Sequence, residues 1–209
     1  EWVIGDTLNT SIGQGYVLAS PLQLAVMTAR LGTNRLVKPR LIKSFSGLTV
    51  PTDPFEPLGI DQNALREVRL GMHSVLNNKK GTAYGSRIEG KDQHFAGKTG
   101  TSQVTGISRS EREDGVSKNE DKEWKYRDHA LFVGYAPFKK PKYAVAVVVD
   151  HGGSGSASAA PIARDLILAA QYKSKPPLSA YPEAQRNRIY SKLNKMKLSD
   201  PTKTIGLDL

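Results

Sequence analysis

Residues 96–104 read AGKTGTSQV, and the fold turns on whether this run closes a phosphate-binding loop or forms a β-strand. As Gly97-Lys98-Thr99 it spells the end of a P-loop, whose first glycine must stand five residues before the second so that successive backbone N–H groups can surround phosphate oxygens. That earlier position is Asp92, and a carboxylate there repels the anion. The residues after the lysine decide the matter. A P-loop runs directly into a helix, whereas Gly100-Thr101-Ser102-Gln103-Val104-Thr105 joins a helix-breaking glycine to β-branched side chains and reads as strand.

Outward from that strand, predicted over residues 94–105, apolar alternation predicts two more, at 129–136 and 142–150. The last carries the continuous run YAVAVVV, and PFKKP joins the pair as an antiparallel hairpin. Upstream, Ser20-Pro21-Leu22-Gln23 combines an N-cap serine, a proline at the first helical position and a capping-box glutamine. A helix is therefore expected over 21–31, closed by Gly32, with Leu22, Ala25, Val26 and Ala29 on its buried face. Residues 36–43 read as a short strand. A second helix starts near Asp61, with Leu65, Val68, Met72, Val75 and Leu76 at helical spacing and Ile60 available to staple onto Leu65. HGGSGSAS after Asp150 reads as a flexible turn before a helix over 159–170 with Ile162, Leu166, Ala169 and Ala170 apolar. The sum is an α+β domain, an antiparallel sheet packed against helices.

Composition sets outer bounds. A chain of 209 residues has the length of one domain, or of one domain plus a tail, and its lack of cysteine excludes disulfides, thiolate metal sites and a cysteine nucleophile. No run of 18 apolar residues occurs, and the opening EWVIGDTLNT reads like the middle of a domain, so a membrane anchor is expected upstream. The formal net charge is +10, and half of it lies in residues 171–209, where eight Lys or Arg face three Asp or Glu. That stretch holds four of the twelve prolines and reads as a mostly solvated extension. Between the first two strands, residues 106–128 carry six basic and seven acidic side chains and are expected to be mobile and to border the cleft.

Several ordered motifs together carry a resemblance. Lys98-Thr99-Gly100-Thr101 on a strand, Gly81-Thr82-Ala83 before it and IGQGYVLASPLQLA at 12–25 resemble the C-terminal part of a class B penicillin-binding protein transpeptidase domain. RDHALFVGYAP at 127–137 is similar to the elongation-type branch of that family. The resemblance covers about residues 5–171, so residues 1–172 are expected to be the C-terminal portion of a transpeptidase domain and 173–209 a basic tail. It implies the penicillin-binding/serine β-lactamase-like fold and a peptidoglycan D,D-transpeptidase that β-lactams acylate. No cofactor and no metal are implied. The expected partners are peptidoglycan stem peptides, β-lactams, a membrane glycosyltransferase of the elongation machinery and an N-terminal part of the same protein. The expected place is the periplasmic face of the inner membrane.

The chemistry suits a peptide ending in a D-alanyl carboxylate. An edge strand can pair with an extended peptide through main-chain hydrogen bonds. Lys98 supplies positive charge, Thr99 and Thr101 supply hydroxyl donors, and Gly100 lets the substrate approach the backbone. The resemblance makes the Thr101 backbone N–H an oxyanion donor. It also requires a nucleophilic serine in S-x-x-K and a second serine in S-x-N before the KTG. No serine of the chain stands in S-x-x-K, and the one S-x-N, Ser117-Lys118-Asn119, lies after the KTG and reads as a chance match. The chain is thus expected to carry the substrate-binding wall without the nucleophile.

Other motifs fare worse. Ser156 stands where a G-x-S-x-G elbow over 152–156 needs its second glycine. His73, His94, His129 and His151 lack metal-ligand spacing. Gly13-Gln14-Gly15 lacks the third glycine of a dinucleotide fingerprint and reads as a turn. The basic tail lacks any nucleic-acid motif. Within the enzyme class the rivals are a D,D-carboxypeptidase or a β-lactamase. Outside it, the rival is a non-catalytic β-lactam-sensing or cell-wall-binding module.

Overall fold

The computed structural model describes residues 2–51, 54–106, 113, 115 and 118–196. A short helix, α1 (Ile4–Ser11), precedes the glycine turn at Gly13 and Gly15, both at positive φ. At the start of α2 (Pro21–Thr33), Gln23 N–H donates to Ser20 Oγ at 3.3 Å and Ser20 N–H donates to Gln23 Oε1 at 2.7 Å, which is the reciprocal capping box the sequence spells. Gly32 does not close this helix. Asn34 does so, in the left-handed conformation at φ 57°, and its N–H donates to Arg30 O.

The buried face of α2 also differs from the apolar one. Thr28 and Gly32 are its buried residues, while Leu22 is 60 % exposed and Ala25, Val26 and Ala29 are half-buried. Close approach is the reason: a Cβ on Gly32 would stand 2.9 Å from the Tyr135 ring, and the Thr28 hydroxyl is satisfied by Leu24 O at 2.7 Å. Small residues admit the sheet where larger ones would hold it off.

Residues 36–43 form no strand. Backbone pairing in this region is confined to an Arg35–Pro57 bridge and an exposed hairpin, β1 (Ser44–Phe45) with β2 (Leu48–Thr49). Of the apolar residues in this span, Leu41 and Ile42 lie on the surface while Leu36 and Val37 are half-buried. Helix α3 (Gln62–Asn77) starts where expected, its Ala64 N–H donating to the Asp61 carboxylate at 2.8 Å, and it buries Leu65, Met72 and Leu76.

Three antiparallel strands form the sheet, in the order β3 (Ala96–Ser102), β4 (His129–Ala136), β5 (Tyr143–Val149). Strands β3 and β5 are shorter than the sequence pattern by one to three residues at their ends, and β4 matches it. Pairing Gly97 with Gly134 and Thr99 with Phe132 puts Phe132 on one face, while Ala96 with Tyr135 and Lys98 with Val133 occupy the other. The Phe132 face builds the main core with Phe95, Leu76, Ile88, Ile167 and Leu168; the Tyr135 face packs on Met72 and Leu31. Helix α2 packs on β4 and β5, and so does α4 (Ala160–Tyr172).

The turn before α4 is not a flexible one. Gly153 and Gly155 are buried, and residues Gly155–Ala159 wind as a single wide π turn that leads into the helix. The buried residues of α4 are Ala160, Ala163, Arg164, Ile167 and Leu168, whereas Ile162 and Leu166 are 45 % and 53 % exposed. Alanines line the first turns of the helix, and Ile167 and Leu168 fill the core further along it.

The stretch after α4 is not a solvated extension over residues 176–193. Ala180 and Tyr181 are each 2 % exposed and Ile189 is 5 %, all within the main core, and α5 (Arg186–Lys195) carries Ile189. Arg164, 2 % exposed, donates to Asp165 Oδ1 at 2.9 Å and to Gln185 Oε1 at 2.8 Å, with its guanidinium 4.9 Å from the Tyr181 ring centroid. Burial pushes the Tyr181 hydroxyl up to about 12. Basic, proline-containing composition concealed a segment held by a few large side chains. Residues 197–209 lie outside the described residues.

The edge-strand cleft as candidate functional site

Strand β3 is the end strand of the sheet, and among the described residues no strand pairs with its outer edge. Beside it lies a cleft of about 720 Å³, walled by residues 98–106 with Leu131 and Val133 on one side and by the 12–19 turn with Leu24 on the other. Lys98 is the one charged side chain among the described lining residues. The cleft therefore favours an anion, and an open strand edge favours an extended peptide.

The four residues singled out from sequence all come to this edge, in an arrangement that strand alternation dictates. Lys98 and Gly100 share the face of Val133 and Leu131, while Thr99 and Thr101 share the face of Phe132 and Ala130. Charge and hydroxyls thus act from opposite faces, and a ligand lying along the edge is within reach of both. Lys98 is exposed and its Nζ donates to Thr99 O at 2.8 Å; Thr99 is half-buried and its Oγ1 lies 3.2 Å from Thr82 Oγ1. A Cβ on Gly100 would meet Leu131 Cβ at 3.2 Å, a second reason for glycine beyond approach by a ligand.

Glycines fix the strand from behind. A Cβ on Gly97 would lie 2.4 Å from Phe132 Cζ, and one on Gly155 would lie 2.4 Å from Leu131 O and 2.5 Å from Gly100 O. The π turn is thus pressed flat against the strand pair at Gly100. At the far end of β3, Val104 N–H donates to Asp128 Oδ1 at 3.3 Å, while Asp128 Oδ2 accepts from Asn119 Nδ2 at 3.3 Å and Asp128 O accepts from Gly153 N–H at 2.8 Å. At the near end, Asn77 Nδ2 donates to Phe95 O at 3.0 Å, and His73 Nε2 and His94 Nδ1 lie 3.0 Å apart. Burial holds both imidazoles below their ordinary range; the partner ring adds to this at His73, while at His94 Lys139 and Lys91 add to it and Glu89 and Asp92 oppose it.

Of the segment expected to border the cleft, residues 107–112, 114, 116 and 117, with Ser117 of the S-x-N match, lie outside the described residues. Residues 118–128 are turns ordered by Arg127, which donates to Lys122 O at 3.0 Å and to Glu120 O at 3.2 Å. Ser154 caps the π turn and contacts Ser156 Oγ at 2.9 Å, so the near-match to a serine elbow is a structural turn. Among the described residues no group of three or more His, Cys, Asp or Glu is placed to hold a metal ion. Sequence reasoning missed Thr82, Asp128 and Gly155. Thr82 and Asp128 were visible only as members of GTA and RDHALFVGYAP, and Gly155 only as part of a glycine-rich turn.

An edge strand bearing Lys-Thr-Gly-Thr, backed by helices on both faces of an antiparallel sheet, is the arrangement expected of a penicillin-binding transpeptidase domain. The model of the penicillin binding protein transpeptidase domain matches residues 1–168, and the chain belongs to that family. Within it the chain is of the penicillin-binding protein 2 (PBP2), or MrdA, type. It is 36 % identical over 174 residues to the peptidoglycan D,D-transpeptidase MrdA of Haemophilus influenzae, a match covering 79 % of this chain and 26 % of that protein. To MrdA of Escherichia coli K12 it is 35 % identical over 162 residues, covering 75 % of this chain and 25 % of the relative. The chain thus spans about a quarter of the length of these curated relatives. Among solved structures, Pseudomonas aeruginosa PBP2 in complex with WCK 5153 superposes with a TM-score of 0.63 at 35 % identity, covering 88 % of this chain and 37 % of that one. PBP2 of Helicobacter pylori in complex with MreC gives 0.63 at 32 % identity, covering 83 % and 28 %.

Proposed function

We propose that this chain forms the substrate-binding wall of a peptidoglycan D,D-transpeptidase of the cell-elongation type. The observation that carries the reading is the open edge of β3, with Lys98, Thr99, Gly100 and Thr101 facing a cleft whose described lining has no other charge. A stem peptide extends along that edge and pairs with its main chain. Its terminal carboxylate is held by the Thr99 and Thr101 hydroxyls in the field of Lys98. The Thr101 N–H stabilises the oxygen that becomes negative when the D-alanyl carbonyl is attacked. The attacking serine belongs to an S-x-x-K element that none of these 209 residues spells. Its ester with the donor peptide would then pass to an amine acceptor, with D-alanine as the first leaving group.

The same reading places the protein at the periplasmic face of the inner membrane, beside a membrane glycosyltransferase of the elongation machinery. The MreC complex of the H. pylori relative supports an elongation partner of that kind. No helix of the described residues is long and apolar enough to cross a membrane. The test is labelling by a fluorescent penicillin, read on gels and by intact mass. A protein in which this chain follows the S-x-x-K and S-x-N part of a relative should be acylated, and Lys98→Ala should slow that about a hundredfold. Acylation unaffected by Lys98→Ala would overturn the role given to the strand. Stoichiometric labelling of the 209-residue chain alone would show that its own serines suffice.

A further inference from the structure

The Gly81-Thr82-Ala83 run is not part of the strand, yet it touches it: Thr82 Oγ1 lies 3.2 Å from Thr99 Oγ1, and either oxygen can donate. The run is pinned on both sides of Thr82. A Cβ on Gly81 would stand 2.3 Å from Ser74 O and 2.4 Å from Val75 O, so only glycine lets the backbone lie on the end of α3. Gly81 N–H donates to Asn78 O at 2.8 Å, and Ala83, 2 % exposed, donates its N–H to Val75 O at 3.0 Å. Beyond it, Gly85 O accepts from Gln185 Nε2 at 2.6 Å. Thr82 is thus an exposed side chain on a rigid base, with its hydroxyl against a residue of the carboxylate site.

We propose that Thr82 is a positioning residue for carboxylate recognition: its O–H donates to Thr99 Oγ1 and so directs the Thr99 O–H at the C-terminal carboxylate of the bound peptide. The proposal rests on the reading of the β3 edge as a peptide-carboxylate site. Its logic is one of counting. A hydroxyl carries one hydrogen and two lone pairs, and a carboxylate only accepts. When Thr99 donates to the ligand, its bond with Thr82 has one direction left, from Thr82 to Thr99. The resulting chain, Thr82 O–H to Thr99 O–H to carboxylate, polarises along its length and strengthens the terminal donor. Lys98 does not take this part, because strand alternation sends its side chain off the face opposite to Thr99.

The experiment is a titration of the ¹⁵N-labelled 209-residue chain with N-acetyl-D-alanyl-D-alanine and, separately, with its C-terminal amide, followed by NMR at Thr99 and Thr101. Thr82→Val keeps the branched shape and removes the hydroxyl at an exposed position, and Thr82→Ser restores it. The wild type should prefer the acid to the amide. Thr82→Val should weaken acid binding about threefold to tenfold while leaving amide binding within about twofold, and Thr82→Ser should return the preference. The acid-to-amide ratio is a readout that a merely structural role for Thr82 would not move. A Thr82→Val chain with the wild-type ratio overturns the proposal and leaves the carboxylate reading standing. A wild type that does not distinguish acid from amide overturns both.

Discussion

Replacing Gly155 with alanine should be among the most damaging single-methyl changes in this fold. The new Cβ would lie 2.4 Å from Leu131 O and 2.5 Å from Gly100 O, each at least 0.5 Å inside the 3.0 Å that real Cβ contacts keep. Both obstacles are backbone atoms of a paired strand, so no side-chain rotation relieves the clash. Either the π turn lifts from the sheet or the Gly100–Leu131 pair opens. Overpacking of this kind costs about 1–3 kcal/mol, and rigid backbone on both sides puts Gly155 at the upper end. The lost flexibility of the unfolded chain offsets about 0.4–1 kcal/mol, leaving a net loss of about 2 kcal/mol. With a urea m-value of about 2 kcal/mol/M, the unfolding midpoint should fall by roughly 1 M. Chemical denaturation followed by tryptophan fluorescence reads this directly, and ¹⁵N–¹H spectra should show the Gly100 and Thr101 amides displaced. A midpoint within about 0.2 M of wild type, with those amides unmoved, would refute the claim that the π turn sets the position of the substrate strand.

Arg164→Ala should cost about 2–4 kcal/mol, since it leaves Gln185 Oε1 without its donor and a gap against Tyr181, and the damage should extend to residues 178–193 in amide exchange. Ser20→Ala should cost about 1 kcal/mol by removing the α2 cap, measured by thermal or urea unfolding. The His73–His94 pair predicts a pH dependence. Both imidazoles titrate lower in the folded chain than in the unfolded one, so the unfolded chain binds more protons and stability falls as pH drops below about 6.5. Urea midpoints between pH 7.5 and pH 5.5 should show that loss, reduced in His73→Phe; a flat profile would count against the half-buried neutral pair.

The features legible from sequence were those governed by local rules. Ser20 and Asp61 announced their helices because a cap is a short-range hydrogen bond, and the strands announced themselves by β-branched residues in β3, alternating apolarity in β4 and a continuous apolar run in β5. The KTG strand was legible because several ordered motifs accompany it, the tripeptide alone being weak. What escaped depends on distance of approach. The faces of α2 and α4 were read as Leu22, Ala25, Val26 and Ala29, and as Ile162, Leu166, Ala169 and Ala170, but the buried residues are Thr28 and Gly32 on α2 and Ala160, Ala163, Arg164, Ile167 and Leu168 on α4, because close approach to the sheet rather than apolarity alone selects the face. Tyr181 and Ile189 sit in a polar, basic stretch, so their burial depends on Arg164, Gln185 and core partners far away in sequence. The Thr82–Thr99 contact spans 17 positions and has no periodic signal at all.

The central claim is that the outer edge of β3 receives a peptide carboxylate. Hydrogen–deuterium exchange of this chain, with and without N-acetyl-D-alanyl-D-alanine, tests it at the strand itself. The account predicts slowed exchange at Thr99 and Thr101, little change across β5, and loss of the effect when the carboxylate is amidated. Protection confined to β5 or to the apolar groove between α2 and Ile60, with Thr99 and Thr101 unchanged, would contradict it.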